Sequence, residues 1–150
     1  MKGIDVKPVY SVISLSFLTI LLLVTPVIGS DWVKYGGYKE NIYLYNRVSV
    51  KHMKEDIVQV WGKIVFSVEG RKKDILDMRK WGLSTKGYDK LSHILDLYEI
   101  DCKGRMSRIL YVTHYDTDGS VIKSFTYDKP DWSYIPPGSK MDTLRKKVCK

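Results

Sequence analysis

Hydrophobic and polar residues alternate along most of the chain after residue 30, a pattern typical of strands with one buried face. The clearest case is IVQVWGKIVF, residues 57–66, which predicts a strand with Gln59, Trp61 and Lys63 on its second face. Its apolar face holds Val58, Val60, Ile64 and Phe66. Gly62 interrupts that face, and we expect a neighbouring aromatic ring to cover it.

The flanking segments repeat the alternation. WVKY and NIYLY predict two short strands around a turn at Gly36-Gly37. HILDLYEIDC predicts a strand whose core side carries Tyr98, Ile100 and Cys102. On its other side, Glu99 and Asp101 are typical of a solvated strand face. SRILYVTHY and SVIKSFTY predict a hairpin, because the DTDG between them is a strong turn signal.

Two segments follow a helical period instead. RKKDILDMRKWGL predicts a short amphipathic helix around 71–83, with Ile75, Met78 and either Trp81 or Leu76 along one side.

The end of the chain predicts a second helix. Ser139 is a candidate N-cap, and Asp142 three residues later nearly completes a capping box. Met141, Leu144 and Val148 form one apolar stripe, which we expect to lie on the sheet.

Residues 1–30 have the layout of a secretory signal peptide. Lys2 and Lys7 precede the uncharged run VISLSFLTILLLV, and small residues follow at Gly29 and Ser30. An uncleaved anchor is the alternative, but the run is shorter than the roughly 20 residues of a spanning helix. We therefore expect cleavage near Ser30, a single domain over 31–150, and no stable membrane span after cleavage.

Export places both cysteines in an oxidising compartment, where disulfides persist. With only two cysteines, the single intramolecular pairing is Cys102–Cys149. Such a bond contributes about 4 kcal/mol in the chain-entropy model. We predict that it holds the last helix to the sheet, which leaves no free thiol for catalysis.

The formal net charge is +8, and removal of residues 1–30, with two lysines and one aspartate, leaves +7. A basic exported domain suits an acidic surface, although solubility alone is an alternative. The candidate partner-binding patch is basic: Arg71, Lys72, Lys73, Arg79 and Lys80, with Lys86 nearby. Beside Trp81 and Tyr88 it would suit an acidic polymer or a membrane. The favoured alternative is a solvated helix face, and export disfavours nucleic acid.

No pattern of residues predicts a catalytic, metal or cofactor site. The DTDG segment begins like a calcium loop, but its twelfth position is Tyr127 instead of a glutamate, which favours a plain turn. His52, His93 and His114 have no metalloprotease spacing, and His114 near Asp116 suggests at most a weak metal pair. Nucleotide-binding and serine-hydrolase motifs do not occur in the sequence.

The chain resembles the surface-adhesin protein E family of bacterial exported proteins. The resemblance lies in YEIDCKGRMSRILYVTHYDTDGSVI, then DWSYIPPGS, then the final VC, and more weakly in WVKYGG, IYLYNRVSV and IVQVWGKIVFS. It implies an α+β fold: an antiparallel sheet of about six strands with a C-terminal helix tied to it by the disulfide. It also implies export to the cell envelope. The family is named for an adhesin that binds host extracellular-matrix and serum proteins and can dimerise.

These observations predict an exported, non-enzymatic protein that binds a macromolecular partner through its exposed sheet face or a sheet edge. An extracellular-matrix protein and an acidic polymer are the candidate partners, and edge pairing would also give a homodimer. An envelope-structural or accessory protein with no host ligand is the alternative. A hydrolase with a dispersed site is a third hypothesis.

Overall fold

A computed structural model describes residues 31–150, so the predicted signal peptide lies outside the described residues. The strands are β1 Trp32–Gly37, β2 Asn41–Asn46, β3 Lys51–Lys54, β4 Ile57–Phe66, β5 Leu91–Asp101, β6 Met106–Asp116, β7 Val121–Thr126 and β8 Ser133–Tyr134. The helices are α1 Val68–Lys80 and α2 Lys140–Val148, with short 3-10 turns at Arg47–Ser49 and Tyr88–Lys90. Across residues 31–150, no helix combines the length and the apolar character that crossing a membrane requires.

All strand pairs are antiparallel, and six strands follow the order β1-β2-β4-β5-β6-β7. The two short strands extend the sheet, because β3 pairs with β4 and β8 pairs with β6. The predicted antiparallel sheet is therefore confirmed, and the hairpin around DTDG joins β6 to β7 as expected.

The core lies on one side of this sheet, which we call the helix-covered face. Leu144 and Val148 of α2 are buried there, and Met141 packs beside them, as the helical stripe predicts. The remaining buried members of the core are Val58, Val60, Tyr98, Ile100 and Ile135. Tyr98 covers Gly62, since a Cβ built there would lie 2.7 Å from the Tyr98 ring. The expected aromatic cover of this glycine is thus present.

The disulfide joins Cys102 to Cys149, with the two Cα atoms 5.6 Å apart. Cys102 follows β5 directly, and its N–H donates to the Asp56 carbonyl at 2.8 Å. Both cysteines pack against the core. The C-terminal helix is therefore tied to the sheet, as predicted.

Asp142 is a second tie between α2 and the rest of the fold. Its carboxylate is buried and forms salt bridges with Arg105, Arg145 and Lys146 at 3.2, 3.0 and 2.9 Å. Ser139 caps α2 as predicted, but Asp142 accepts the Gly138 N–H instead of completing a capping box. The hydrogen bonds from Lys146, Gly138 and Arg145 hold the pKa of Asp142 well below its usual range.

Helix α1 begins and ends three residues earlier than the predicted 71–83. Ser67 caps its first turn by accepting the Gly70 N–H at 3.0 Å. Its last turn closes at Gly82, whose φ of +70° favours glycine. Both signals are in the sequence, so the boundary error came from starting at the cationic run.

The prediction that Trp81 or Leu76 faces the core is wrong, since both side chains are exposed. Gly70 takes the inward position instead, because a Cβ there would clash with the Glu40 carbonyl oxygen, in the turn just before β2. Ile75 and Met78 are half-buried, in keeping with their predicted side.

The first hairpin also differs in detail from its prediction. Gly36 and Gly37 belong to β1, and the turn is formed by residues 38–40. After β2 the chain makes a 3-10 turn, because the Asn46 side chain accepts the N–H groups of Val48 and Ser49 at 3.1 Å. Strand β3, which the sequence pattern did not predict, follows this turn and pairs with β4.

Candidate binding surface

The side of the sheet opposite the core, which we call the open face, carries aromatic and aliphatic side chains. Trp61, Leu97 and Tyr111 lie side by side across β4, β5 and β6. The rings of Trp61 and Tyr111 meet edge to face at 6.0 Å between centroids. A neighbouring row consists of Leu44, Lys63, Leu95 and Thr113. Except for the buried Thr113, these side chains remain partly exposed, because α2 packs on the other face.

A paired charge network adjoins this aromatic row. Arg108 binds the Glu99 carboxylate through Nε at 2.7 Å and Nη2 at 2.6 Å, and Gln59 donates to the same carboxylate at 3.3 Å. The Arg108 guanidinium lies 4.4 Å from the centre of the Trp132 ring. Glu99 keeps only 12% of its side-chain exposure, so the predicted solvated character is wrong for this residue. The pairing arises across strands, which single-strand alternation cannot reveal.

A shallow cavity of about 470 Å³ opens beside Trp61 on this face. Ser49 forms part of its wall, because its Oγ accepts the Trp61 backbone N–H at 3.0 Å and donates to the Asn46 carbonyl at 2.7 Å. In the part of the chain that the structure describes, the Trp61 indole N–H and the Lys51 ammonium have no partner. The cavity thus offers a flat ring, one free donor and one free cation.

The net charge of the open face is positive. Glu99 is neutralised by Arg108, whereas Lys34 and Lys51 are exposed and Lys63 lies over the Trp32 ring at 5.6 Å. The open face is therefore suited to broad, planar or anionic groups of a large ligand.

The outer edge of β7 is the second candidate surface. Residues 121–126 pair only with β6 among the described strands, and most of their side chains are exposed. Val121 is exposed, and Lys123 lies 4.8 Å from the Phe125 ring. An edge with unpaired N–H and C=O groups can accept another strand.

The five residues of the predicted basic patch all lie on α1, but their side chains differ in their partners. Arg71 donates to the Leu91 carbonyl at 3.1 Å, Lys73 pairs with Glu40 at 2.9 Å, and Lys80 pairs with Asp77 at 3.2 Å. Within residues 31–150, Lys72 and Arg79 have no ion pair or hydrogen-bond partner for their side chains. The structure therefore brings together only these two cations as free charges on one face of α1.

The histidines and the DTDG turn take part in packing and local turns. His114 contacts Phe125 and shares a 2.7 Å hydrogen bond with the Tyr88 hydroxyl, while burial and Lys123 lower its pKa. His93 stacks on Tyr115 at 4.9 Å, and burial lowers its pKa as well. His52 lies on β3, exposed. Asp116 accepts the N–H groups of Asp118 and Ser120, as a turn aspartate does. Over residues 31–150, no three potential metal ligands cluster together.

Asp96 is a buried carboxylate that the sequence analysis missed. It is 5% exposed at the centre of β5, on the helix-covered face, and accepts the Tyr98 hydroxyl at 2.9 Å. Burial raises its pKa to about 6. The signal was available, since Asp96 lies two residues before Tyr98 and therefore shares its core face.

The family model described as surface-adhesin protein E matches residues 32–150, from the first strand to the last residue. Searches of curated proteins and of solved structures find no match.

Proposed function

The chain belongs to the surface-adhesin protein E family, and on that premise we propose that it is an exported, non-enzymatic binding protein. The family implies a location at the cell surface or envelope, and residues 1–30 have the layout of a cleavable signal peptide followed by the domain 31–150. The protein's partner is a macromolecule.

The observation that carries this proposal is the composition of the open face. Trp61 and Tyr111 are partly exposed aromatic anchors beside a charge network that is already paired. Aromatic and arginine side chains of this kind dominate binding energies at protein interfaces. The cavity beside Trp61 is shallow and open, which suits part of an extended ligand.

Charge supports an acidic partner. Lys34, Lys51 and Lys63 lie on or beside the open face, whereas Glu99 is neutralised by Arg108. An acidic region of an extracellular-matrix protein or an acidic polymer has the complementary charge. The exposed edge of β7 supports a second route, strand addition, which would also give a homodimer.

The test compares two tryptophan substitutions in binding to immobilised matrix proteins and to an acidic polysaccharide. Trp61→Ser removes the anchor of the open face, and Trp81→Ser is the control, at the residue that follows α1. We expect Trp61→Ser to weaken binding by about tenfold or more, because hot-spot aromatic residues contribute on this scale. We expect Trp81→Ser to bind like the unaltered protein.

Two results would contradict the proposal. One is the absence of binding to every acidic macromolecule tested, and the other is equal binding by the Trp61→Ser variant and the unaltered protein. Thermal unfolding of both variants controls for a loss of fold.

A further inference from the structure

The cavity beside Trp61, which we call the Trp61 cavity, lies where the strand next to β4 is interrupted. Strand β2 pairs with β4 as far as Gly62, and β3 resumes the pairing at Gln59. Between these two strands the chain makes the 3-10 turn Arg47–Ser49, and the Ser49 hydroxyl accepts the Trp61 backbone N–H at 3.0 Å. The turn therefore forms one wall of the cavity and fixes its shape before a ligand binds.

Two side-chain amides in the cavity wall are oriented by their bonds to the protein. Asn46 accepts the N–H groups of Val48 and Ser49 through Oδ1, both at 3.1 Å, so its NH2 group is the end left for a ligand. Gln59 donates through Nε2 to the Glu99 carboxylate at 3.3 Å, which leaves its Oε1 as an acceptor. Over residues 31–150, neither of these two amide ends has a hydrogen-bond partner. The wall thus presents one donor group and one acceptor in fixed orientations.

The wall also carries a cation and a flat ring. Among the described residues that line the cavity, only Lys51 is charged, and it is exposed on β3. The neighbouring carboxylate of Glu99 is neutralised by Arg108 at 2.6 Å. Trp61 supplies the ring, which its edge-to-face contact with Tyr111 holds in place. A ligand in this cavity therefore meets a ring, an amide donor, an amide acceptor and a positive charge.

We propose that the Trp61 cavity is a subsite for one anionic sugar residue of an acidic polysaccharide. This inference rests on the proposed function and names the class of its partner. The C–H groups of the sugar ring pack on the Trp61 indole, because they favour the electron-rich face of an aromatic ring. Sugar hydroxyls bond to the Asn46 NH2 group and to Gln59 Oε1, and the sugar's carboxylate or sulfate contacts the Lys51 ammonium.

The composition of the wall favours a sugar over a protein segment. Among the lining residues, only Val48 and Leu97 lack a polar side-chain group. Hot spots for proteins lie in well-packed pockets from which water is excluded, whereas this cavity is shallow and polar. A sugar hydroxyl both donates and accepts, whereas the carboxylate of an acidic peptide has no donor for Gln59 Oε1. The volume of about 470 Å³ also lies in the range of small-ligand sites, roughly 300–1,000 Å³.

The experiment is an NMR titration of the isotope-labelled exported protein with short oligosaccharides. The probes are a hyaluronan tetrasaccharide, which carries carboxylates, a chondroitin sulfate tetrasaccharide, which also carries sulfates, and the neutral methyl ester of the hyaluronan fragment. We expect both charged probes to shift the Trp61 indole signal and the Asn46 side-chain amide signals. The neutral ester should shift them far less, and the Trp81 indole signal should stay in place with every probe.

Three substitutions locate the contacts within the cavity. Asn46→Asp keeps the oxygen that caps the 3-10 turn but replaces the NH2 donor with a second carboxylate oxygen, so it should weaken binding by about tenfold or more. Lys51→Gln should weaken binding about fivefold, the scale of one partly exposed charged contact. Lys147→Gln is the matched control, because it removes the same charge from an exposed residue of α2, on the helix-covered side. Thermal unfolding verifies that each variant is folded.

Several outcomes would overturn the sugar subsite. These are the absence of a Trp61 shift with both charged tetrasaccharides, equal binding of the neutral ester, and equal losses in Lys51→Gln and Lys147→Gln. A tetraglutamate peptide that shifts the same signals at lower concentration would indicate an acidic protein segment as the occupant. If a matrix protein binds through Trp61 while neither charged tetrasaccharide binds, the subsite is wrong and the proposed function stands. If no macromolecule and no tetrasaccharide binds, both are wrong.

Discussion

Asp96 and Asp142 are both buried carboxylates, but their pKa values are shifted in opposite directions. Asp142 forms salt bridges with Arg105, Arg145 and Lys146, which stabilise its anionic form. Within residues 31–150, the Asp96 side chain accepts only the Tyr98 hydroxyl, and burial is the main cause of its raised pKa. Three cations near a carboxylate stabilise its charge, whereas one neutral donor offsets only part of the desolvation.

The pKa of Asp96 predicts a loss of stability between pH 4 and pH 7. Its pKa is 3.8 in an ordinary setting and about 6 in the folded protein, so the folded state holds this proton more tightly. The stability that the folded protein gains from this tighter proton binding is fully present below pH 4. It is lost as the pH rises through 6 and Asp96 ionises. At pH 7 the buried charge costs about 3 kcal/mol. Asp96→Asn should therefore be more stable than the unaltered protein at pH 7 and similar at pH 4, as measured by urea unfolding. Parallel pH profiles for the two proteins would show that Asp96 does not carry this penalty.

At this scale the sequence could identify the core residues but not the partners of the charged ones. Alternation correctly assigns Val58, Val60 and Ile100 to the core. It cannot show that Arg108 lies opposite Glu99, because that contact depends on strand register and on the bulge in β6. The same limit applies to Lys72 and Arg79, whose freedom depends on which neighbouring acids reach α1.

Among the elements, the helices show which local signals decide boundaries. Helix α2 begins at the predicted cap because Ser139 and its apolar stripe agree. The predicted bounds of α1 are three residues late because Ser67 and Gly82 determine its ends, while the cationic run lies inside it. Its orientation follows from a contact that periodicity does not include, the close approach of Gly70 to the backbone of Glu40.

Gly70 therefore provides a sharp test of how α1 is seated. Gly70→Ala should destabilise the protein by about 2 kcal/mol or more, because the new methyl group meets backbone that cannot move away. This loss would occur although alanine favours helices by about 1 kcal/mol. Gly82→Ala is the control: its φ of +70° costs about 1 kcal/mol, and its Cβ would meet no atom within 4 Å. Equal or reversed losses in thermal unfolding would mean that α1 is not seated on Glu40.

For the whole molecule, strand alternation and the two cysteines predicted several strands and a tied C-terminal helix, whereas the antiparallel sheet of about six strands came from the family resemblance. Alternation also assigned Val60 and Ile100 to the core side, which α2 covers. Both sides carry large apolar residues, with Trp61, Leu95 and Leu97 on one and Val60 and Ile100 on the other. The packing of α2 on the core side leaves the other face open.

The tie between Cys102 and Cys149 predicts a large effect on global stability. Replacing both cysteines with alanine should lower the free energy of unfolding by about 4 kcal/mol, because the open chain gains loop entropy on unfolding. Adding a reductant should lower the melting temperature of the unaltered protein towards that of the double variant and leave the variant unchanged. A reductant-insensitive melting temperature would contradict a stabilising role for this bond.

The central claim is that a macromolecular partner binds on the open face. Hydroxyl-radical footprinting of the complex with the tightest-binding matrix protein or acidic polymer tests it most directly, because this method reports the accessibility of individual side chains. We predict that Trp61 and Tyr111 become protected while Trp81 and Tyr134 keep their reactivity. Protection of Trp81 or Tyr134 with Trp61 unchanged would place the partner elsewhere and contradict the account.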